Sequence, residues 1–212
     1  MKKSFLTIVG LLMIATAVSA QKRAVSVQEA AVSAQDIELP KPQTSGGIPL
    51  MDALSKRQST RSFSEEMIDE QMLSNLLWAA WGYNRENKRT APSGMDKQEI
   101  DLYVVLKSGT YLYDAKANRL VLVIKEDMRK SVSATQEFAQ NAPLHIVFVA
   151  DTKKADGVMT TAYISQNIYL FCASEGLGTV ARGWFNAEEV HKDLKLKENQ
   201  KVILVQPVGR VK

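Results

Sequence analysis

The residues best suited to bind a charged ligand lie in the segment Arg57–Phe63, where two arginines and a serine occupy alternate positions. On an extended backbone alternate side chains point to the same side, so Arg57, Ser59 and Arg61 share one face. Their guanidinium groups and hydroxyl match phosphate oxygens and planar carbonyl edges, and each charge-assisted hydrogen bond contributes about 1.5–3 kcal/mol. This face suits a phosphorylated, planar cofactor. Taken alone, the same alternation is also typical of a solvated strand edge.

Two further polar segments could offer backbone donors or side chains to a ligand. The first is Ala91–Gln98, which contains Pro92-Ser93-Gly94, and the second is Glu175-Gly176-Leu177-Gly178 at the end of a long apolar run. The two glycines of the second segment allow the backbone to pass close to a ligand and to expose its N–H groups. Each segment also has a simpler interpretation, because Pro-Ser-Gly is typical of a turn and the glycines are typical of a helix end.

The cysteine and the two histidines of the chain do not indicate a metal site or a side-chain nucleophile. A single cysteine, Cys172, excludes an intramolecular disulfide, and its position in the apolar run Ile168–Ala173 predicts a small buried side chain. His145 lies inside a strand-like run and His191 lies in a charged segment, so neither has the spacing of a metal ligand. The sequence also shows no recognisable arrangement of a nucleophile with a base.

The N-terminus has the pattern of a secretory signal peptide over residues 1–20. Two lysines precede an apolar run over residues 5–17, and Val18-Ser19-Ala20 supplies small residues before a cleavage site. An uncleaved membrane anchor is the alternative, although the run is short for a membrane span. Cleavage would remove two of the 27 Lys and Arg residues, which leaves 25 basic residues against 23 Asp and Glu residues. The resulting net charge is close to neutral, which argues against a nucleic-acid-binding surface. We expect an exported protein, periplasmic or secreted, without stable membrane insertion after cleavage.

The rest of the chain is interpreted as a linker followed by one folded domain. Residues 21–47 are rich in Ala, Ser, Val and Gln and end in prolines and glycines, which is typical of a flexible linker, and the domain spans residues 48–212. Apolar periodicity predicts helices over residues 49–56, 69–82, 127–138, 156–175 and 187–194, and strands over 101–107, 111–114, 119–125, 143–150, 179–185 and 202–208. A polar loop is predicted over 83–97. Because helices and strands do not alternate strictly, we predict an α+β fold with a mixed, mostly antiparallel central sheet flanked by helices.

The three polar segments, taken in order, resemble the motifs of the flavin-dependent nitroreductase family. Arg57–Phe63 is similar to the family's Arg-x-Ser-x-Arg/Lys-x-Phe element, Ala91–Gln98 to its Pro-Ser-x-x-Asn-x-Gln element, and Glu175–Gly178 to its Glu/Ala-x-Gly-Leu-Gly turn. The run Leu76–Gly82 resembles the helix that follows the first element, and the resemblance covers residues 48–212. The sequences Leu-Trp-Ala-Ala and Arg-Thr-Ala-Pro-Ser are similar to the branch of thiazole- and oxazole-forming dehydrogenases.

This resemblance implies a tight homodimer with one FMN at each of two subunit interfaces. By likeness, Arg57 and Arg61 would hold the phosphate, the ribityl chain and the pyrimidine edge, and a basic residue at the end of the last strand would meet the phosphate. The Pro-Ser loop would approach the flavin from the partner subunit, and the glycine turn would line the flavin ring. The implied cofactor-binding residues are Arg57, Gln58, Ser59, Arg61, Pro92, Ser93, Gly94, Asp96, Gln98, Glu175, Gly176, Leu177, Gly178, Arg210 and Lys212.

The implied activity is oxidoreduction carried by the flavin. NAD(P)H or another donor would reduce FMN, which would then reduce a small acceptor such as a nitroaromatic or a quinone in a ping-pong cycle. The alternatives are a flavin-dependent dehydrogenase or oxidase acting on a peptide heterocycle, a flavin-binding protein without turnover, and an ordinary secreted interaction domain whose motifs match by chance.

The sequence departs from the family pattern at two places. Asp96 stands where the family usually has Asn, and an ionised carboxylate accepts a hydrogen bond but cannot donate one. We therefore expect a different flavin potential or a different geometry. Family members also often extend further beyond the last strand, so we expect a smaller dimer interface, or residues 21–48 in place of that extension.

Overall fold

The folded unit runs from Gln35 to Lys212, and residues 35–212 are those that the computed structural model describes. The strands are β1 (Ile37–Glu38), β2 (Tyr83–Arg85), β3 (Lys88–Arg89), β4 (Ile100–Leu106), β5 (Gly109–Asp114), β6 (Arg119–Ile124), β7 (Leu144–Asp151), β8 (Leu177–Thr179) and β9 (Gln200–Arg210). The helices are α1 (Leu50–Lys56), α2 (Glu70–Trp81), α3 (Arg129–Ser133), α4 (Glu137–Gln140), α5 (Val158–Glu175) and α6 (Ala187–Asp193). A single 3-10 turn spans Gly94–Asp96 among these described residues.

Seven of the strands form one sheet in the order β1-β6-β5-β4-β7-β9-β8. Each neighbouring pair in this sheet is antiparallel, and β2 and β3 form a separate antiparallel hairpin. The predicted α+β fold with helices around a central antiparallel sheet is therefore confirmed.

Helices cover both faces of the sheet at its centre. On β7, Ile146 and Phe148 pack with apolar residues of α2 and α5, whereas Val147 and Val149 pack in the cluster that contains Val190 of α6. Alternate side chains of a strand point to opposite faces, so a strand covered on both faces is apolar at successive positions. This explains why the sequence around β7 is a continuous apolar run.

Helix α2 follows the predicted pattern closely. Asp69 precedes the helix, and its carboxylate accepts a hydrogen bond from the N–H of Met72 at 2.7 Å, a capping interaction that contributes about 1 kcal/mol. Gly82 follows the last helical residue. The predicted helix over residues 69–82 is confirmed.

Helix α5 is the longest helix of the described chain and ends where the cavity described below begins. Gly157 and Gly176 flank it with φ angles of +74° and +68°, which are conformations that glycine adopts without steric cost. The predicted helix over residues 156–175 is confirmed except that it starts at Val158. Its N-terminal half leaves Val158, Met159 and Tyr163 exposed, with 43–66% of each residue's surface accessible.

Three local predictions are wrong. The polar loop predicted over 83–97 contains the hairpin β2–β3, whose mostly polar residues do not show the apolar alternation of a strand. The helix predicted over 127–138 is two short helices separated at Ala134, which has a φ of +49°. The strand predicted over 179–185 lies at Leu177–Thr179, and beyond it Arg182 makes an isolated bridge to Val205.

The boundary of the folded domain also lies earlier than predicted. Residues 35–47 were predicted as part of a flexible linker, but Ile37 pairs with Leu120 in the main sheet. The segment then crosses α2, where Ser74 Oγ donates to the carbonyl of Pro40 and the N–H of Gln43 donates to Asn75 Oδ1 at 2.8 Å. We call residues 35–48 the N-terminal strap. The predicted signal peptide and residues 21–34 lie outside the described residues.

Candidate functional site

The Arg57–Phe63 segment is extended and lies along the ends of β8 and β9. The N–H of Thr60 donates to the carbonyl of Thr179 at 2.9 Å, and Phe63 forms an antiparallel bridge with Val211. Phe63 is 2% exposed and packs with Ala142 and Val180, so it anchors the segment. The extended conformation predicted from the alternating residues is confirmed.

This segment forms one wall of a cavity of about 590 Å³ at the C-terminal end of α5. Arg57 and Gln58 line it from the segment, and Gly176 and Leu177 line it from the glycine turn. Two of the three predicted polar segments, which lie far apart in sequence, therefore meet at one cavity.

A second wall, next to the arginine segment, is a stripe of α5 that the sequence analysis did not identify. Tyr169, Cys172 and Ala173 line the cavity, and their spacing of three and four residues places them on one helix face. Cys172 is 1% exposed, as expected for a small buried side chain. The spacing between Tyr169 and the glycine turn is the signal that could have identified Tyr169.

Tyr169 holds the arginine segment through both its ring and its hydroxyl. The guanidinium carbon of Arg57 lies 5.3 Å from the centre of the Tyr169 ring, a cation–π distance. The hydroxyl of Tyr169 lies 3.0 Å from Ser59 Oγ and accepts a hydrogen bond from the N–H of Ala181 at 2.8 Å. Ser59 is therefore oriented toward Tyr169.

The glycine turn contributes in a different way at each of its glycines. Gly176 has a φ of +68° and open space around its α-carbon. Its backbone therefore lines the cavity, and no side chain of this residue fills the space beside it. At Gly178 a Cβ would come within 2.8 Å of Thr60 Cγ2 and 3.2 Å of Val211 Cγ2. Gly178 therefore allows the arginine segment to pack closely on β8.

The other basic residues predicted to bind the cofactor lie where the arginine segment pairs with the end of β9. Arg61, Arg210 and Lys212 are exposed and do not line the cavity. Backbone hydrogen bonds connect their strands, from the N–H of Ser64 to the carbonyl of Arg210 at 2.9 Å and from the N–H of Lys212 to the carbonyl of Ser62. Arg210 Nε also lies 3.5 Å from a carboxylate oxygen of Glu66.

The Pro-Ser loop is a separate, internally bonded surface that does not line this cavity. Ser93 Oγ accepts a hydrogen bond from the N–H of Gln98 at 3.0 Å, and Gln98 Nε2 donates to the carbonyl of Asn87 at 2.8 Å. Met95, Asp96 and Gln98 have φ angles between +46° and +57°, which non-glycine residues adopt at a cost that is commonly accepted at functional sites. The loop is thus held in one specific conformation.

Asp96 carries its negative charge next to a cation. Lys88 Nζ lies 2.6 Å from Asp96 Oδ2, and Gln98 Nε2 donates to Asp96 Oδ1 at 3.1 Å. The hydrogen bond from Lys88, followed by that from Gln98, lowers the pKa of Asp96. The residue at the position of the family's usual Asn is therefore an ionised carboxylate whose charge is locally balanced.

Comparison with known proteins decides which family this architecture belongs to. The sequence profile of the Nitroreductase family matches residues 54–210, a range that includes the three polar segments. The chain belongs to the nitroreductase family. Members of this family are flavin-dependent oxidoreductases as a rule, and the protein is accordingly an oxidoreductase enzyme.

Individual nitroreductases are similar to this chain over most of its length. A protein of Methanocaldococcus jannaschii provisionally named a nitroreductase is 30% identical over 183 residues, which are 77% of this chain and 91% of the relative. The crystal structure of a provisionally named nitroreductase from Ralstonia eutropha JMP134 is 37% identical, has a TM-score of 0.79, and is matched over 86% of this chain and 92% of that chain. An FMN-dependent nitroreductase from Clostridium difficile R20291, 20% identical with a TM-score of 0.56 over 76% of this chain and 87% of that chain, shares the fold.

The residues at the α5 cavity fit a flavin nucleotide. The Arg57 guanidinium is a donor for a phosphate or a pyrimidine carbonyl, and the open backbone at Gly176 leaves room beside a planar ring. Within residues 35–212, no three His, Cys, Asp or Glu side chains come close enough together to hold a metal ion. The helices of the same residues include none with the length and apolar character of a membrane span.

Proposed function

We propose that this nitroreductase is an FMN-dependent enzyme that reduces small acceptors, such as nitroaromatics or quinones, with electrons from NAD(P)H or another donor in a ping-pong cycle. The observation that supports the proposal best is the meeting of Arg57 and the Gly176-Leu177 backbone at one cavity of about 590 Å³. Cavities of this size suit a ligand of the size of a nucleotide cofactor.

In this proposal the residues of the chain bind and orient, and the cofactor supplies the redox chemistry. When bound, FMN accepts and donates hydride equivalents, so no side chain has to form a covalent intermediate. Arg57, positioned by Tyr169, holds the phosphate or the pyrimidine edge. A cation at the pyrimidine edge stabilises the negative charge that develops on the ring system. Burial raises the pKa of the Cys172 thiol, which keeps this cavity-lining group protonated and unreactive.

Ser59 and the exposed cations complete the proposed phosphate end. The contact between Ser59 Oγ and the Tyr169 hydroxyl places a polar pair beside Arg57. Arg61 and Arg210 are exposed beside chain segments that are joined by backbone hydrogen bonds, and we assign both to a phosphate at the mouth of the cavity. Lys212 is the third cation at this end.

We further propose that two copies of the chain form the complete site. Dimers are usual in the family, and α1 and the start of α5 carry exposed apolar side chains that a partner would cover. On α1, Leu50, Met51 and Leu54 are 43–73% exposed, and α1 packs against α5, which exposes Val158 and Met159. Exposed apolar side chains of this kind are typical of a protein–protein interface. The partner's copy of the Pro-Ser loop would then approach the flavin.

Export to the periplasm or the medium is the remaining part of the proposal, and the pattern over residues 1–20 supports it. Cell fractionation of the native host with detection of the mature N-terminus tests it. Protein found only in the cytoplasm with residues 1–20 intact would contradict export.

The proposed activity is tested by the absorbance spectrum of the purified mature protein before and after anaerobic addition of NAD(P)H. We expect a yellow protein whose flavin band bleaches, and we expect Arg57→Gln to weaken FMN binding by about tenfold or more, since a charge-assisted hydrogen bond contributes about 1.5–3 kcal/mol. Lys201→Gln, an exposed position on β9 away from the cavity, is the matched control. A colourless protein that does not respond to added FMN would overturn the proposal, and bound FMN that no donor reduces would favour a non-catalytic flavin-binding protein.

A further inference from the structure

A second cavity, of about 510 Å³, is built from three segments that lie far apart in sequence. Its walls are the N-terminal strap at Lys41–Thr44, the β2–β3 hairpin, and the turn that joins β5 to β6, with Trp78 of α2 between them. Among the described residues, none lines both this cavity and the cavity at the end of α5. We call it the strap cavity.

Hydrogen bonds fix each wall of the strap cavity in place. Asn118 of the β5–β6 turn donates to the carbonyl of Pro40 at 2.8 Å, which joins the turn to the strap. Trp78 Nε1 donates to the carbonyl of Tyr83 at 3.1 Å, which joins the hairpin to α2. The cavity is therefore preformed, as is usual for sites that bind small molecules.

Each wall contributes one cation. Lys41 comes from the strap, Arg85 from the hairpin and Lys116 from the β5–β6 turn. Among the described lining residues a single carboxylate, Glu86, opposes these three charges. Cations that converge from three separate segments create a local positive potential that attracts an anion.

The strap cavity also offers flat aromatic surface. Trp78, Tyr83 and Tyr113 line it, and the Tyr83 ring is held from the hairpin by Arg89, whose guanidinium carbon lies 4.1 Å from the ring centre. Arg89 is itself fixed by a hydrogen bond to Gln98 Oε1 at 2.9 Å. Lys116 Nζ lies 5.9 Å from the same ring, so a cation and an aromatic surface are close together. Aromatic pairs gain energy from offset stacking in addition to buried area.

We propose that the strap cavity binds a planar aromatic carboxylate, with the ring against Tyr83 and the carboxylate among Lys41, Arg85 and Lys116. The chemistry of the walls selects this class, because the aromatic surface favours a planar ring and the cations favour a negative charge on it. The strap cavity shares no lining residue with the proposed flavin cavity within one chain, so the proposed binding does not require flavin or turnover.

The test is isothermal titration of the mature protein with 2-naphthoate, and with 2-naphthamide as an uncharged analogue of similar shape, in the presence and absence of FMN. We expect saturable binding of one 2-naphthoate per chain, at least about tenfold tighter than 2-naphthamide, and unchanged by FMN. Absence of saturable binding, equal affinity for the two compounds, or competition with FMN would overturn the proposal.

Variants locate the binding site. The double variant Lys41→Gln and Lys116→Gln should weaken 2-naphthoate binding by about tenfold or more, because it removes two cations from the site. Both positions are exposed, so folding should not change. The control, Lys107→Gln with Lys201→Gln, removes the same charge from exposed positions outside the cavity and should leave the affinity unchanged. Equal effects of the two double variants would show that binding follows net charge and would overturn the assignment.

Discussion

The hydroxyl of Tyr169 lies 3.0 Å from the hydroxyl of Ser59, and this contact ties the end of α5 to the arginine segment. The same tyrosine oxygen accepts the N–H of Ala181, so one side chain connects the helix, the arginine segment and the chain beyond β8. The ring below Arg57 adds a second contact. Tyr169 is thus the residue that orients the cationic wall of the proposed flavin cavity.

Replacing Tyr169 should separate its two contributions. Tyr169→Phe removes the hydrogen bonds and keeps the ring, so it should destabilise the protein by about 1 kcal/mol and weaken FMN binding several-fold. Tyr169→Leu removes the ring as well and should weaken FMN binding further. Thermal unfolding and flavin fluorescence titration measure the two effects, and Tyr163→Phe, an exposed position on the same helix, is the control. Equal FMN affinity in all four proteins would contradict this role.

A methyl group at Gly178 should displace the arginine segment. In Gly178→Ala the new Cβ would lie 2.8 Å from Thr60 Cγ2, and overpacking of this kind typically costs about 1–3 kcal/mol. We expect a lower melting temperature and weaker FMN binding, with partial recovery when Thr60→Ser removes the methyl group in conflict. Gly183→Ala is the control, because no atom lies within 4 Å of its added Cβ. Normal FMN binding in Gly178→Ala would show that the cavity does not require this close approach.

Arg182 should be one of the most sensitive positions for stability. Its buried guanidinium donates to the carbonyls of Val132, Ser133 and Trp184 at 2.7–3.0 Å and to the side chain of Gln136. Lysine cannot reproduce this planar fork of donors, so Arg182→Lys should leave buried carbonyls unpaired at about 1–3 kcal/mol each. Chemical denaturation of Arg182→Lys and of the exposed Arg85→Lys should show a large loss only in the first.

His145 should make stability depend on pH. Burial, followed by the charges of Arg182 and Arg129, lowers the pKa of His145 to about 3, whereas the unfolded chain titrates near the ordinary value of about 6.5. Below about pH 6.5 the unfolded state therefore binds more protons, so stability is fully present above that pH and is lost as pH falls toward 3, by about 2 kcal/mol at pH 5. Denaturation at pH 5 and pH 7 measures the loss, which His145→Leu should reduce and His191→Gln should not. An identical pH dependence in the two variants would exclude His145 as its source.

The ion pair of Lys88 and Asp96 should influence the flavin if the Pro-Ser loop approaches it from the partner. Removing the cation in Lys88→Gln leaves the Asp96 charge unbalanced and should lower the reduction potential of bound FMN, because a nearby negative charge disfavours the reduced, more anionic flavin. Asp96→Asn removes the negative charge and should raise the potential. Potentiometric titration of both variants tests this, and shifts in the same direction, or none, would show that the pair does not act on the flavin.

The sequence predicted the elements whose signals are local. The helix at residues 70–81 has a capping aspartate, periodic apolar residues and a terminal glycine, and the central strand at 144–151 is apolar at nearly every position because both of its faces are covered. The hairpin at 83–89 was not predicted because its residues are mostly polar and make polar contacts, such as those of the Arg89 side chain with Gln98 and the carbonyl of Trp81. Contacts between polar residues leave no periodic apolar pattern in the sequence.

The candidate site was predictable in part for the same reason. The arginine segment and the glycine turn were identified by their residue types, and the structure brings both to one cavity. Tyr169 was missed because an aromatic residue in an apolar helix is ordinarily a core residue. The strap cavity was missed as well, because its three cations come from segments that only the folded chain brings together.

The N-terminal strap protects one edge of the main sheet against aggregation. By pairing Ile37 with Leu120, it occupies backbone groups at the edge of the sheet that a strand of another molecule could otherwise bind. The carboxylate of Asp36 accepts a hydrogen bond from the N–H of Leu122 at 2.8 Å, so this backbone group of β6 is also occupied. A chain shortened to begin at Ile48 would expose this edge, so it should associate with itself at concentrations where the chain beginning at Gln21 remains dispersed.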